Sequence, residues 1–206
     1  KWGPRNHVNI SQSGVLFALS HVAKNRESYL ENYWLKNKRA VARKTAGTGA
    51  WVIPAGQYRK GEVADVVNSL RFQGLEFHRA SADFKAGDVD VKAGDYIVRG
   101  DQPYRTVADM YFSLQSFSPS NPRPYDDTGW TYQLMRHIAL STVSDTSILS
   151  KPMTLVTSDV RAPGGVEGTG STIVVSNSSD NNLVTFRFRF PRTRMGGAEA
   201  VFSAGG

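Results

Sequence analysis

The segment from residue 50 to 80, AWVIPAGQYRKGEVADVVNSLRFQGLEFHRA, constrains the fold more than any other part of the chain. Its apolar run at 51–53 is closed by Pro54 and Gly56, which is typical of a buried strand. Beyond this loop, apolar residues recur at the spacing of a helix with one buried face, at Val63, Val66, Val67 and Leu70. The pattern therefore predicts a strand, a loop and an amphipathic helix in succession.

A second strand is predicted directly after this helix. Gly74 is placed to cap the end of the helix, and Leu75 and Phe77 then alternate with Glu76 and His78. Two strands joined by a helix form a βαβ unit, whose strands are parallel and whose crossover is right-handed. The sequence thus predicts an α/β fold with a flavodoxin-like open, mostly parallel sheet and flanking helices.

A long helix is predicted before this unit, over residues 11–42. Apolar and aromatic residues recur there every three or four positions, at Val15, Leu19, Val22, Tyr29 or Leu30, Tyr33 and Trp34. Because an unpartnered stripe of this kind is a liability in water, we expect it to pack on something outside this chain as well as on the following domain. The opening KWGPRNHVNI has neither an initiator Met nor an apolar signal core, so we expect it to continue from a longer polypeptide.

Further elements are predicted downstream of residue 80. They are a short valine alternation at 89–91, a third strand at 96–98, a second helix at 106–117, a proline-rich loop at 119–129, an amphipathic segment at 130–138, a short strand at 155–156 and a buried strand at 172–175. Residues 183–190 alternate like a strand, but an internal echo of the 51–87 segment favours a helix there. We divide the chain into a helical segment at 1–44, an amidotransferase-like α/β domain at 45–150, and a partial α/β unit or continuation at 151–206.

The excess of positive charge is confined to the helical segment. Residues 1–44 hold nine Lys or Arg and two Asp or Glu, which accounts for the whole net charge of +7. We interpret it as a solvated basic helix face, with contact to a phosphate or an anionic surface as the alternative. No apolar run approaches the roughly 20 residues of a membrane helix. The absence of cysteine excludes disulfides, thiolate metal sites and a cysteine nucleophile.

Known catalytic motifs are not found in the chain. None of His7, His21, His78 and His137 is followed three residues later by Glu, so no HxxE zinc pair exists and we expect surface or edge histidines. Gly47 and Gly49 precede a strand instead of following one, unlike a dinucleotide fingerprint.

Polar residues instead cluster after the predicted strands and the second helix. The ends of parallel strands form the ligand crevice of an open α/β sheet, so these groups are candidates for one binding site. The alternative is a structural hydrogen-bond network that holds the loops. The candidate ligand-binding residues are Gln57, Tyr58, Gln102, Tyr104, Arg105, Arg123, Tyr125, Asp126, Thr128 and Trp130.

Several stretches resemble the C-terminal region of bacterial zinc carboxypeptidase-like proteins of the M14 peptidase family. HVAKNRESYLENYWLKNKRAV resembles the last helix of their peptidase domain. WVIPAGQYRKGEVADVVNSLRFQGLEFHRA, DYIVRGDQPYRTVADMYFSLQ and RPYDDTGWTYQLM resemble the glutamine amidotransferase-like domain that follows it. The resemblance covers most of residues 1–140 and thins beyond about 150.

The resemblance implies a non-catalytic module that supports or shapes access to a peptidase domain. Zinc is then expected only in an upstream peptidase domain of the same polypeptide, so that neither a cofactor nor a metal site is predicted in this chain. It also implies secretion or a periplasmic location. Amidotransferase chemistry needs a cysteine nucleophile, which this chain lacks.

Three alternatives remain open from the sequence. One is a ligand-binding module for peptide termini or carbohydrate. Another is an enzyme with a carboxylate or tyrosine site that involves Asp126 and Tyr104. The last is binding of nucleic acid through the basic helix, which would make affinity steeply dependent on salt; we disfavour it as a partner.

Overall fold

A computed structural model describes residues 2–43, 47–114, 118–120, 129–178 and 180–203. The helices within these ranges are α1 (Pro4–Lys24), α2 (Arg26–Val41), α3 (Lys60–Phe72), α4 (Arg105–Phe112), α5 (Tyr132–Met135) and α6 (Asn181–Arg189), with a 3-10 helix at Thr146–Ser150. The strands are β1 (Ala50–Ile53), β2 (Phe77–Ala80), β3 (Phe84–Ala86), β4 (Val89–Val91), β5 (Tyr96–Arg99), β6 (Ser141–Val143) and β7 (Met153–Leu155).

The main sheet has five strands in the order β6-β1-β5-β2-β7, and every neighbouring pair is antiparallel. The α/β class is therefore confirmed, whereas the predicted flavodoxin-like, mostly parallel sheet is wrong. Strands β1 and β2 do run in the same direction and are joined through α3, but β5 lies between them. In the middle of the sheet, Val98 of β5 pairs with Trp51 on one side and Phe77 on the other. The βαβ unit is thus a split one.

Both faces of this sheet are covered, which explains why all four residues of β1 are buried. One face packs against α3 and α4, through a core that includes Trp51, Phe77, Val67 and Phe112. The other face packs against the β3–β4 hairpin and the 3-10 helix, through a smaller core that includes Ile97 and Ile148, among other residues. Alternate residues of a strand point to opposite faces, so β1 contributes to both cores.

Helix α3 follows its sequence pattern closely. Its predicted apolar stripe, Val63, Val66, Val67 and Leu70, is at most 2% exposed. The helix ends in a Schellman motif, because Leu75 N donates to Leu70 O at 3.0 Å and Gly74 N donates to Arg71 O at 2.9 Å. Gly74 has φ +94°, a conformation that L side chains rarely adopt, so its predicted capping role is confirmed.

The predicted long N-terminal helix consists of two helices separated by Asn25. The Asn25 amide Nδ2 donates to His21 O at 2.8 Å, and Asn25 N donates to the same carbonyl at 3.0 Å. An asparagine side chain that competes for a helical carbonyl locally distorts the ladder of backbone bonds. The helix was predicted over residues 11–42, whereas α1 begins at Pro4, and the break at Asn25 was not predicted.

Residues 156–160 lie along α3 and extend the sheet region beyond β7. Asn68 exchanges two hydrogen bonds with the backbone of Val160, each 2.8 Å long. Arg71 donates to the carbonyls of Val156 and Ser158 at 3.1 and 2.8 Å. Strand β7 itself pairs with β2, so the sheet draws on residues from both sides of position 150.

The remaining sequence predictions had mixed outcomes. The strand at 96–98 and the β4 alternation are confirmed, and α4 ends at Phe112 instead of 117, although 115–117 lie outside the described residues. The helix over 183–190 is confirmed by α6. The buried strand at 172–175 is wrong, since Ile173, Val174 and Val175 form no strand and are 57–67% exposed. Strands β3 and β6 were not predicted.

Candidate functional site

The loop after β1 is held by hydrogen bonds between its Gln57 side chain and backbone atoms, and by a bond from its backbone to the side chain of Asp95. Gln57 donates from Nε2 to Pro54 O at 2.9 Å and to Ala139 O at 3.2 Å, and its Oε1 accepts from Ala139 N at 2.6 Å. The buried Asp95 accepts from Ala55 N at 2.9 Å. The Gln57 amide therefore joins this loop to the segment before β6, as a structural hydrogen-bond network would.

Tyr58 lies outward from the same loop. Its side chain is exposed, and its hydroxyl donates to the carbonyl of Asn177 in the C-terminal segment. Tyr58 thus connects the loop to the residues that precede α6.

A buried ion-pair cluster lies next to the loop, in the first turn of α3. Glu62 is 4% exposed and pairs with Arg59 at 3.2 Å and with Arg136 at 3.0 Å. Arg59 also donates to Arg136 O at 2.9 Å, so the two arginines and the carboxylate form one unit. A carboxylate at the N-terminal end of a helix is stabilised further by the helix dipole.

The second group of predicted site residues lies after β5. Gln102 is 2% exposed; its Oε1 accepts from Glu76 N at 2.8 Å, and its Nε2 donates to Glu76 O at 3.1 Å and Arg99 O at 2.9 Å. Tyr104 shares a hydrogen bond with Tyr33 of α2 at 2.7 Å. Arg105 is 5% exposed and contacts Asp109 at 3.4 Å.

These two groups lie at opposite ends of the sheet. Because β5 is antiparallel to β1, the register places Ile53 beside Tyr96 and Ala50 beside Arg99. Residues that follow β1, including Gln57, therefore lie at the end where β5 begins, and Gln102 follows β5 at the other end. The predicted single crevice depended on parallel strands, and the structure does not bring Gln57 and Tyr58 together with Gln102, Tyr104 and Arg105.

The other candidate residues fall in or beside the proline-rich loop. Arg123, Tyr125, Asp126 and Thr128 lie outside the described residues. Trp130 is half-buried just before α5. A binding role for these residues stays a prediction.

Metal ligands are not grouped in the part of the chain that the structure describes. No set of three or more His, Asp or Glu side chains there is arranged to hold a metal ion. Among the described helices, none combines the length and apolar character that crossing a bilayer requires.

His78 is the histidine with the most perturbed environment. It lies on β2 between Ile97 of β5 and Leu155 of β7, and its Nδ1 is buried without a hydrogen-bond partner in the described structure. Burial, assisted by the positive charge of Arg99, lowers the pKa of His78 below its usual value. The neutral imidazole is therefore the form that this site favours.

Because of His78, we expect the free energy of unfolding to decrease as the pH is lowered. Below about pH 6.5 the unfolded chain takes up a proton on this histidine while the folded chain does not, so stability decreases as the pH drops towards the lower folded pKa. Urea unfolding at several pH values between about 7.5 and 5 measures this slope. His78→Gln should reduce the slope, with the exposed His21→Gln as control. An equal slope in wild type and His78→Gln would contradict the prediction.

Many large apolar side chains are exposed on the N-terminal helices. Helix α1 has 21 residues and none of them is buried. Its large apolar side chains are 41–77% exposed, and they are Val8, Ile10, Val15, Leu16, Phe17, Leu19 and Val22. Helix α2 adds Leu30 and Trp34, which are 67% and 56% exposed, and Lys38 lies over the Trp34 ring at 4.2 Å. We call these residues of α1, with Leu30 and Trp34, the apolar helical surface.

Helix α2 also provides the attachment of this surface to the α/β domain. Ala40 is its one buried residue in the described structure, and Tyr33 bonds to Tyr104 at the start of α4. Arg43, just after the helix, donates to Gly49 O at 3.4 Å. The face of α2 that carries Tyr33 and Ala40 therefore lies against the domain, and Leu30 and Trp34 lie on another side.

Sequence reasoning missed several residues that organise the loops, notably Glu62, Asp95 and Arg136. A glutamate in the first turn of a helix is normally predicted to face solvent. Glu62 is buried because it pairs with Arg136, which is 74 positions away in the sequence. Asp95 does carry a local signal, because an Asp after Gly94 at a strand start is typical of a turn.

Comparison with known proteins identifies no relative. No protein-family model matches the chain, and neither a curated protein nor a solved structure matches it.

Proposed function

We propose that this chain is a non-catalytic module that binds a protein domain through the apolar helical surface. The partner that we propose is the peptidase domain of a zinc carboxypeptidase-like polypeptide, of which this chain would be a C-terminal part. The observation that carries the proposal is α1, which has seven large apolar side chains and no buried residue. The resemblance of residues 21–41 to the last helix of such a peptidase domain supplies the identity of the partner.

The exposed side chains provide enough free energy for a stable contact. Burying one Val, Leu, Ile or Phe side chain contributes about 2 kcal/mol relative to exposure in water. Phe17 and Leu19, which are 77% and 61% exposed, retain most of that contribution for a partner. Several such residues together offset the entropic cost of holding two domains in one arrangement.

The distribution of apolar residues around α1 favours a protein partner over a membrane. Val8, Val15 and Leu19 share one side of the helix, whereas Ile10 and Phe17 lie on the opposite side at helical spacing. A helix that lies on a bilayer keeps a strongly polar face, but a helix that is apolar on both sides is suited to burial between elements of a protein.

The polar groups in the domain support a non-catalytic role. The buried Glu62, Asp95 and Gln102 are engaged in hydrogen bonds or ion pairs that hold loops together. The chain also has no cysteine for amidotransferase chemistry. Zinc-dependent peptidase activity from these 206 residues alone would overturn the proposal.

Hydrogen exchange provides the direct test. We expect the amides of residues 4–24 to exchange rapidly in this chain alone, because the helix has no tertiary partner here. In the longer native polypeptide that includes the peptidase domain, the same amides should be strongly protected. Equal exchange in both samples would show that α1 does not bind that domain.

A serine substitution at Leu19 tests the same contact by energetics. Leu19→Ser should destabilise the longer polypeptide by about 2 kcal/mol, since it removes an apolar group buried at the contact. In this chain alone the effect should stay within about 0.5 kcal/mol, because Leu19 is 61% exposed. Thermal and urea unfolding of both polypeptides measure the difference.

Phe72→Ser is the matched control for this substitution. Phe72 is 94% exposed at the end of α3, outside the apolar helical surface. It should leave both polypeptides unchanged. An effect of Leu19→Ser that is equally large in both, or absent from both, would contradict binding through α1.

A further inference from the structure

An open groove lies between the side of α2 that faces the α/β domain and the start of α4, and the proposed function does not involve it. Its volume is about 400 Å³, within the range of small-molecule sites. The lining residues are Asn32, Leu35, Lys36, Arg39, Ala40, Arg105, Thr106 and Asp109. We call this space the α2–α4 groove.

Positive charge dominates the α2–α4 groove. Lys36, Arg39 and Arg105 line it, and Asp109 is the one acidic residue among the lining groups. Asp109 lies 3.4 Å from Arg105, so one carboxylate faces three cations. Within the described residues, neither Lys36 nor Arg39 forms an ion pair with a carboxylate, and both side chains reach solvent. The groove therefore has an excess of two positive charges.

Arg105 is held in place at the base of the groove. Its side chain is 6% exposed and lies against the backbone of Gly47, where a Cβ atom would overlap the guanidinium group. Gly47 has φ +152° and no side chain, which allows this close approach. Arg105 therefore adds a fixed positive charge beneath the two exposed cations of the groove.

The start of α4 adds to the positive potential. Thr106, in the first turn, lines the groove, and that turn contains no acidic side chain. The dipole of a helix places partial positive charge at its N-terminal end and favours an anion there. On the other wall, Leu35 and Ala40 offer an apolar contact.

We infer that the α2–α4 groove binds an oxyanion, a phosphate or carboxylate group on a small molecule, through Lys36 and Arg39, with the buried charge of Arg105 at its base. Guanidinium groups recognise the paired oxygens of both groups, and the lysine adds a point charge. The apolar wall accommodates a short hydrocarbon or aromatic body attached to the anion. This inference is independent of the proposed function, because it uses the side of α2 that faces the domain and not the apolar helical surface.

Titration of the intact chain with inorganic phosphate and, separately, with benzoate tests the inference. We expect at least one of them to bind with a Kd of about 1 mM or tighter, as measured by calorimetry and by NMR shifts of the amides of Thr106 and Asp109. Binding of phosphate alone would assign a phosphoryl ligand, and binding of benzoate alone a carboxylate with an apolar body. Binding of neither would overturn the inference.

Two variants separate a built site from general attraction to a basic protein. The double variant Lys36→Ala/Arg39→Ala should weaken binding by at least about tenfold, and both residues are exposed, so folding should be retained. Lys38→Ala removes a charge from the same helix, outside the groove and over the Trp34 ring, and should leave the Kd unchanged. An equal loss in both variants, or no loss in the double variant, would contradict the assignment.

Discussion

Trp51→Ala is expected to lower the free energy of unfolding by about 4 kcal/mol, the largest effect of any single substitution considered for this chain. Trp51 is 2% exposed in the middle of β1, where it pairs with Val98 of β5 and Thr142 of β6. Its ring packs on Phe112 of α4 with centroids 6.0 Å apart. Removal of the indole therefore leaves a cavity between the sheet and the helical layer, which rigid neighbours fill only in part.

Urea unfolding monitored by circular dichroism measures this loss. If Trp51→Ala does not fold, Trp51→Phe provides a smaller truncation whose loss should be intermediate. The matched control is Trp34→Ala, since Trp34 is 56% exposed on α2 and its loss should change stability by less than about 0.5 kcal/mol. Similar losses for the two tryptophans would contradict the core described for β1 and α4.

The local elements of this domain could be predicted because their signals are contiguous in sequence. The stripe of α3 and the glycine that ends it lie within 12 residues, and both were identified. The apolar run of β5 at 96–98 was equally clear. The short strand β6 was missed because its three residues, Ser141–Val143, include one buried side chain and become a strand through pairing with β1.

The order of the strands could not be predicted from the same signals. A helix that joins two strands of the same direction is compatible with adjacent parallel strands and with a third strand inserted between them. The strand order is determined by β5, whose Val98 pairs with Trp51 on one side and Phe77 on the other. Such pairing depends on the side chains of three separate segments, and no periodicity within one segment reports it.

The error in strand order carried over to the predicted site. Placing Gln57 beside Gln102 required that β1 and β5 end on the same edge of the sheet, whereas they are antiparallel. The two groups lie at opposite ends of the sheet, and each glutamine side chain forms hydrogen bonds with backbone atoms. Gln57 bonds to Ala139, and Gln102 bonds to Glu76 and Arg99. The structural network that was the alternative reading of these residues describes both glutamines.

Gln102→Ala is expected to lower the free energy of unfolding by about 3 kcal/mol, because three partly buried hydrogen bonds to the backbone are lost at once. The amide of Gln102 bonds to both the N–H and the carbonyl of Glu76, and to the carbonyl of Arg99. It thereby ties the chain that enters β2 to the chain that leaves β5. A side chain with 2% exposure leaves water little access to replace these bonds.

Gln102→Leu and Gln73→Ala complete this experiment. Leucine keeps much of the volume but none of the hydrogen bonds, so a loss close to that of alanine would attribute the effect to the bonds and not to packing. Gln73 is an exposed glutamine at the end of α3, and its replacement should stay within about 0.5 kcal/mol. If Gln102→Ala folds with wild-type stability, the amide does not hold β2 and β5 together. Its buried position after β5 would then need another explanation, and the predicted ligand role of Gln102 would be the one to test.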